Sequence, residues 1–150
     1  MLGMEMTLNS SLPAVRILLF LGGGIFIVLG GLHLAYTLLD LKKPRRLVPA
    51  EASVAQAMAN SAVRLSRGRS NMWRAWVGFN FSHSLGLVLF GGLTVFTGAQ
   101  ANPLPLVIAL FVLIGCVYLI LAILYWFRSP AICLAVGTAC FVAALGLSLI

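Results

Sequence analysis

Four long apolar runs dominate the pattern of hydrophobic and polar positions along the chain. They cover about residues 15–39, 72–97, 103–127 and 130–150. A helix needs about 20 mostly apolar residues to cross a bilayer, and each run is long enough. Because short turns join the last three runs, their helices are expected to be antiparallel neighbours. The pattern therefore predicts an all-α integral membrane bundle of four transmembrane helices, forming a single transmembrane domain over residues 1–150.

The first two runs are separated by a polar connection at residues 41–71. Pro49 is suited to the first position of a helix, and Gly68 is suited to end it. The apolar residues between them recur at helical spacing, at Val54, Met58, Ala62 and Leu65. With its basic flanks, this stripe predicts a short amphipathic helix on the cytoplasmic membrane surface. A helix packed across the mouth of the bundle is the alternative interpretation.

Helix starts for the last two spans are indicated by a cap followed by proline. Asn102 precedes Pro103, and Ser129 precedes Pro130. Asparagine and serine side chains accept hydrogen bonds from the free amides of a first turn. Proline is tolerated there because the N–H group it lacks would have no intrahelical partner. We therefore predict that Asn102 and Ser129 cap the third and fourth helices.

Composition and charge favour a membrane protein over a soluble one. The chain is 61% apolar and 9% charged, with a formal net charge of +7. Most of its basic residues lie between Lys42 and Arg74, and basic residues near spans mark the cytoplasmic side. This predicts a bacterial inner-membrane protein with both termini outside, residues 41–71 in the cytoplasm, and contact with membrane lipids. The segment lacks the interleaved aromatic residues of a nucleic-acid platform, so we expect no nucleic-acid partner.

Few residues suggest catalysis or processing. Asp40 is the only acidic residue near the spans, so no pair of carboxylates is available. The cysteines all lie in apolar runs without a CxxC pair, which favours a packing role for Cys116, Cys133 and Cys140. Residues 1–13 lack the basic start of a cleavable signal peptide. We interpret the protein as a non-enzymatic membrane protein whose first span is retained.

Two polar stripes within the spans provide the candidate site. His33 and Thr37 lie on one face of the first span, and Asn80 and His83 on one face of the second. At about 1.5 Å per residue, the two histidines lie at depths within about one helical turn of each other. This predicts that the first two spans are adjacent. The candidate ligand-binding residues are His33, Tyr36, Thr37, Asp40, Arg74, Trp76, Asn80, His83 and Ser84.

Several functions are compatible with such a cluster. Polar residues at membrane depth are costly and mark candidate functional sites. The cluster could bind the headgroup of a lipid-like small molecule, or simply link the helices by hydrogen bonds. A redox module holding haem b or quinone between His33 and His83 is one alternative, with the two histidines as iron ligands in the haem case. A small proton-coupled transporter is another.

Stripes of small residues suggest close helix packing or an accessory role. One runs through the second span at Gly78, Ser82 and Gly86. Another runs through the fourth span at Ala131, Ala135, Ala139 and Ala143. Such stripes let helix backbones approach closely. They predict a compact bundle, or docking faces for another membrane protein or a second copy of this chain.

The second span also carries a recognisable motif. Residues 78–86 read Gly-Phe-Asn-Phe-Ser-His-Ser-Leu-Gly, and residues 31–37 contribute an upstream Gly-Leu-His. In this the chain resembles an uncharacterised family of small bacterial four-span membrane proteins with a GFN-x-SHS-x-G signature. The resemblance covers about the first two-thirds of the chain and implies that the motif residues and His33 are the positions to test. In size and span number, the chain is also similar to DoxX-type membrane proteins, some of which are associated with quinone oxidation.

Overall fold

The structure is a computed structural model that describes the backbone of residues 2–150 and the side chains of residues 11–150. Its helices are α1 (Leu2–Lys42), α2 (Ala52–Asn60), α3 (Met72–Ala99), α4 (Pro105–Tyr125) and α5 (Arg128–Ser148). Within the described chain, four helices are long and apolar enough to cross a membrane, and these are α3, α4, α5 and the Ser11–Lys42 part of α1. The predicted all-α bundle with four candidate spans is thereby confirmed.

Helix α1 starts well before the apolar run that predicted it. It continues through Pro13, although proline within a helix removes one backbone hydrogen bond. Hydropathy identifies the membrane-length part of a helix and carries no information on a polar extension of the same helix. The prediction that residues 1–13 are not a cleavable signal peptide stays a prediction. The side chains of residues 1–10 lie outside the described residues.

The predicted caps of the last two spans are wrong. Helix α4 begins at Pro105 with extended Leu104 as its N-cap, and α5 begins at Arg128 with Phe127 as its N-cap; neither has a side-chain cap hydrogen bond. A residue before proline is driven to extended backbone, so Leu104 cannot belong to the helix that Pro105 opens. Asn102 therefore lies outside α4, and Ser129 lies inside the first turn of α5.

Contacts along the chain divide it into two compact units. The first comprises Met1–Leu29 and Val88–Ile150, and we call it the aromatic unit after its core. The second comprises Gly30–Leu87 and is called the polar unit. Every candidate site residue belongs to the polar unit.

In the aromatic unit, one cluster of rings joins all four helices. Phe26 of α1 contacts Phe90 of α3 edge-on, with ring centroids 4.8 Å apart, and stacks on Phe141 of α5 at 5.6 Å. Phe111 of α4 lies 5.8 Å from Phe90 and Tyr118 lies 5.9 Å from Phe26. Phe26 and Phe141 are completely buried. Edge-to-face and offset contacts at these distances are favourable beyond the area they bury, so this cluster is the core of the unit.

Close backbone approaches in the aromatic unit use glycines that no stripe predicted. A Cβ atom on Gly23 would lie 2.7 Å from the carbonyl oxygen of Gly91. A Cβ atom on Gly115 would lie 2.8 Å from the hydroxyl oxygen of Thr138. By contrast, a Cβ atom on Gly78 of the predicted stripe would meet nothing within 4 Å. The Gly78 stripe thus makes no close approach at that residue within the chain, while its role as a docking face stays a prediction.

The connection in the polar unit forms a shorter helix than expected. Helix α2 ends at Asn60, and extended Ser61 follows it. The chain then closes a loop, because the amide of Met72 donates to the carbonyl of Ser61 at 2.9 Å. Gly68 lies in the turn after a single 3-10 turn, with φ of +82°, and does not end α2. Of the predicted stripe, Ala62 and Leu65 therefore lie outside the helix.

Candidate functional site

The centre of the candidate site is a hydrogen bond between α1 and α3. The imidazole Nε2 of His33 lies 2.8 Å from Oδ1 of Asn80. The Asn80 side chain is held in this orientation because its Nδ2 group donates to the carbonyl of Trp76 at 2.8 Å. Because Oδ1 can only accept, Nε2 of His33 must carry the proton. The predicted adjacency of the first two spans is confirmed by this pair.

His83 lies beside this pair, at one end of a stack of rings. Its ring centroid is 5.5 Å from that of His33 in an edge-on arrangement. Phe79 stacks on His83 at 5.6 Å with an interplanar angle of 20°, and Trp76 stacks on Phe79 at 6.1 Å and 24°. We call Trp76, Phe79 and His83 the aromatic ladder. Phe79 is 52% exposed and Trp76 39% exposed, so part of each side chain is accessible.

The two hydroxyl groups of the predicted site are turned towards their own helices. Thr37 donates to the carbonyl of His33 at 2.9 Å, and Ser84 donates to the carbonyl of Asn80 at 2.7 Å. Both side chains are buried. Each hydroxyl therefore back-bonds to the residue four positions earlier and fixes the backbone beneath His33 and Asn80. We assign them a supporting position behind the cluster.

Asp40 has a different position from the one expected, because it organises the connection. Its carboxylate accepts hydrogen bonds from the backbone amides of Arg45, Arg46 and Leu47, at distances between 2.6 and 3.2 Å. The side chain is buried. An ionised acceptor makes stronger hydrogen bonds than a neutral one, so Asp40 holds the start of the connection against the end of α1.

Tyr36 and Trp76 also contact the connection. The guanidinium carbon of Arg46 lies 5.1 Å from the centroid of the Tyr36 ring, within cation–π range. The indole N–H of Trp76 donates to the carbonyl of Leu47 at 2.8 Å. Arg74 is exposed, and its recorded contact is a backbone amide donated to Asn71 Oδ1 at 2.9 Å. The role of Arg74 as a candidate binding residue stays a prediction.

Phe79, Arg46 and Leu47 were not among the predicted site residues. Phe79 follows Trp76 by three positions and precedes His83 by four, and side chains at these spacings lie together on a helix. That spacing was the available signal for the aromatic ladder. Arg46 and Leu47 are brought to the site by the backbone of the connection, which no periodicity in the sequence describes.

Metal binding has little support in the residues at hand. Among side chains 11–150, no group of three or more His, Cys, Asp and Glu residues could hold a metal ion. A haem held by His33 and His83 would need a distance of about 2 Å from the iron to one nitrogen of each histidine, with the porphyrin lying between the two imidazole rings. Nε2 of His33 already donates to Asn80, and the two rings are in contact. The present arrangement does not fit a haem and would have to open to admit one.

Comparisons with protein-family models, curated proteins and solved structures give no match for this chain. Its function is therefore inferred from the site alone.

Proposed function

We propose that the protein is a non-enzymatic integral membrane protein that binds the headgroup of a lipid-like small molecule at His33, Asn80 and His83. The observation that supports this most directly is the hydrogen-bonded His33–Asn80 pair beside the aromatic ladder. Both histidines are half-buried, so each retains surface for a ligand. Since α1 and α3 are apolar enough to cross a membrane, a ligand would reach them from lipid.

The chemistry of the site suits a molecule with a small polar head and an apolar body. Imidazole both donates and accepts hydrogen bonds, and the fixed Asn80 amide sets the orientation of the His33 ring. Binding sites for small molecules combine a few oriented polar groups with apolar and aromatic walls. Trp76 and Phe79 supply such a wall, with the ring planes nearly parallel.

A quinone is the second candidate, and the aromatic ladder favours it. A planar ring can stack on Trp76, the end ring of the ladder, and quinone carbonyl oxygens accept hydrogen bonds from imidazole. In that case the protein would be a redox module. The hypothesis of a small proton-coupled transporter stays a prediction.

The wider setting that we propose is a bacterial inner membrane, with both termini outside and the connection in the cytoplasm. The concentration of basic residues between Lys42 and Arg74 supports this orientation. An accessory role beside another membrane protein is the alternative form of the proposal. In a cysteine-free background, Ser53→Cys should be protected from a membrane-impermeant maleimide in intact cells, and Ala101→Cys should react. The reverse labelling would invert the orientation.

Native mass spectrometry of the chain, extracted gently from its own membrane, tests the proposed site. We expect the wild-type protein to retain an added small-molecule mass, and His83→Phe to lose it. Phenylalanine preserves an aromatic ring in the ladder and removes both nitrogen atoms. Ser82→Ala is the matched control, because Ser82 is exposed and bonds only to the carbonyl of Phe79, at 3.0 Å, in the same helix.

The identity of the retained mass separates the candidates. A lipid-like mass that Ser82→Ala keeps and His83→Phe loses supports the proposal, and a quinone mass with the same behaviour selects the redox form. A mass matching a second polypeptide, with no small molecule, selects the accessory role. Retention that is unchanged in His83→Phe, or a catalytic turnover abolished by that substitution, would contradict the proposal.

A further inference from the structure

A second potential site lies where the connection meets α3. An open cleft of about 390 Å³ is lined by Arg46, Leu47, Val48, Pro49, Met58 and Trp76. Five of these side chains are apolar or aromatic, and Arg46 is the only charged one. The cleft is thus an apolar surface with a single cation at its edge. It lies entirely within the polar unit.

The backbone that forms this cleft is held in place from two directions. The carboxylate of Asp40 accepts the amides of Arg46 and Leu47. The Trp76 indole donates to the carbonyl of Leu47 at 2.8 Å and so joins the same segment to α3. A cleft built on fixed backbone loses less entropy on binding than one that must first be ordered.

The Arg46 guanidinium is exposed and positioned at the edge of the cleft. It lies over the ring of Tyr36 at 5.1 Å. The Asp40 carboxylate attracts this guanidinium, but the Asp40 oxygens accept hydrogen bonds from backbone amides. A guanidinium presents several N–H donors in a planar fork that matches phosphate oxygens. Arg46 therefore has donors available for an anion.

The surrounding charge favours the same kind of ligand. Residues 40–74 contain eight basic residues and only two acids, Asp40 and Glu51. Basic segments next to membrane spans attract anionic lipids. The cleft adds to this general attraction one oriented cation next to an apolar wall, which complements a phosphate group attached to a glycerol backbone and acyl chain.

We propose that this cleft is a binding site for an anionic phospholipid, whose phosphate contacts Arg46 and whose glycerol and upper acyl carbons pack on Val48, Pro49 and Met58. The site does not depend on the proposed role of His33 and His83. It accounts for the burial of Asp40 as a device that fixes the loop carrying Arg46.

The proposal is tested with the full chain in phosphatidylcholine nanodiscs that contain increasing fractions of phosphatidylglycerol, with bound lipid counted by native mass spectrometry. We expect Arg46→Gln to weaken phosphatidylglycerol binding more than tenfold. Arg64→Gln and Arg69→Gln remove the same charge from exposed positions outside the cleft. General attraction of about 1 kcal/mol per basic residue corresponds to about a fivefold loss at most for each control.

A second variant protects the test against misfolding of Arg46→Gln. Met58→Glu places an acid in the wall of the cleft on α2, whose side chains are not buried, and should also weaken phosphatidylglycerol binding more than tenfold. Ser82→Ala, at an exposed position outside the cleft, should leave phosphatidylglycerol binding within twofold of wild type. The histidine site is tested separately by the mass that His83→Phe loses in the extract from the native membrane, so failure of the histidine site and failure of the cleft are distinguishable.

Three results would overturn the proposal. Equal losses in Arg46→Gln and the two control variants would reduce the effect to general surface attraction. Unchanged phosphatidylglycerol binding in both Arg46→Gln and Met58→Glu would remove the site. Displacement of phosphatidylglycerol by inorganic phosphate, with binding of phosphate that depends on Arg46, would reassign the cleft to a free anion.

Discussion

In the aromatic unit, helices are held by close backbone approach and buried rings, whereas in the polar unit they are held by hydrogen bonds. Gly23 and Gly91 allow two helix backbones to come together, and Phe26 and Phe141 are fully buried. In the polar unit, the His33–Asn80 bond and the Asp40 carboxylate make the connections between segments. The close packing of the aromatic unit is disrupted by adding a single atom. The hydrogen bonding of the polar unit is disrupted by removing a single acceptor.

This difference separates stability from function in the chain. Close packing leaves no room for a ligand, because interiors at native density contain few voids. In the polar unit, Asn80 is buried, but its partner His33 and the neighbouring His83 are half-buried, so a ligand can reach the two imidazole rings. The polar unit is accordingly where both proposed sites lie.

The largest expected effect comes from adding one methyl group to the aromatic unit. In Gly91→Ala, the new Cβ would overlap backbone atoms of Gly23 and Ile27, which cannot move without shifting a helix. We expect the free energy of unfolding, measured by SDS titration in mixed micelles, to fall by about 2–3 kcal/mol.

The adjacent residue supplies the control for this substitution. A Cβ atom on Gly92 meets nothing within 4 Å, and alanine is a better helix former than glycine. Gly92→Ala should therefore leave stability unchanged or slightly raised. Equal destabilisation by both substitutions would show that loss of glycine as such, and not the close approach, is responsible.

An intermediate effect is expected from Asp40→Asn in the polar unit. The substitution removes the negative charge and turns an N–H₂ group towards backbone donors, so an amide at residues 45–47 loses its acceptor. The lost hydrogen bond costs about 1–3 kcal/mol, so hydrogen exchange of these amides should accelerate by about tenfold or more.

Exchange in the aromatic unit should not change in Asp40→Asn, because the carboxylate bonds only within the connection. Glu51→Gln is the matched control, since Glu51 is exposed and makes no side-chain hydrogen bond to cap α2. Faster hydrogen exchange of the amides at residues 45–47 in Glu51→Gln, or unchanged protection of these amides in Asp40→Asn, would show that the Asp40 carboxylate does not hold the connection.

The smallest effect concerns the His33–Asn80 pair. A double-mutant cycle with His33→Phe and Asn80→Leu isolates their interaction from the packing of either side chain. Hydrogen bonds between membrane helices measured in this way average about 0.6 kcal/mol, and we expect a coupling energy of about 0.5–1.5 kcal/mol in SDS titration. A coupling energy near zero would mean that the pair does not hold the helices, and a value above about 2 kcal/mol would assign it a larger structural role than ligand binding needs.

The sequence by itself determined the features that depend on local composition. Long apolar runs specify membrane-length helices because unpaired backbone groups are too costly in lipid, and the bounds of α3 follow its run closely. The facing of His33 towards Asn80 was also predictable, since polar side chains within apolar helices turn towards one another to avoid lipid.

Only the tertiary structure decided which residues of the same type do different work. Gly78 and Gly91 lie in one helix, and the repeat pattern singled out Gly78, yet Gly91 makes the close approach. Asp40 continued the polar face of His33 in sequence, but the turn of the connection brought backbone amides to its carboxylate. In each case the outcome depends on which distant backbone arrives at the side chain, and that is set by packing between segments far apart in the chain.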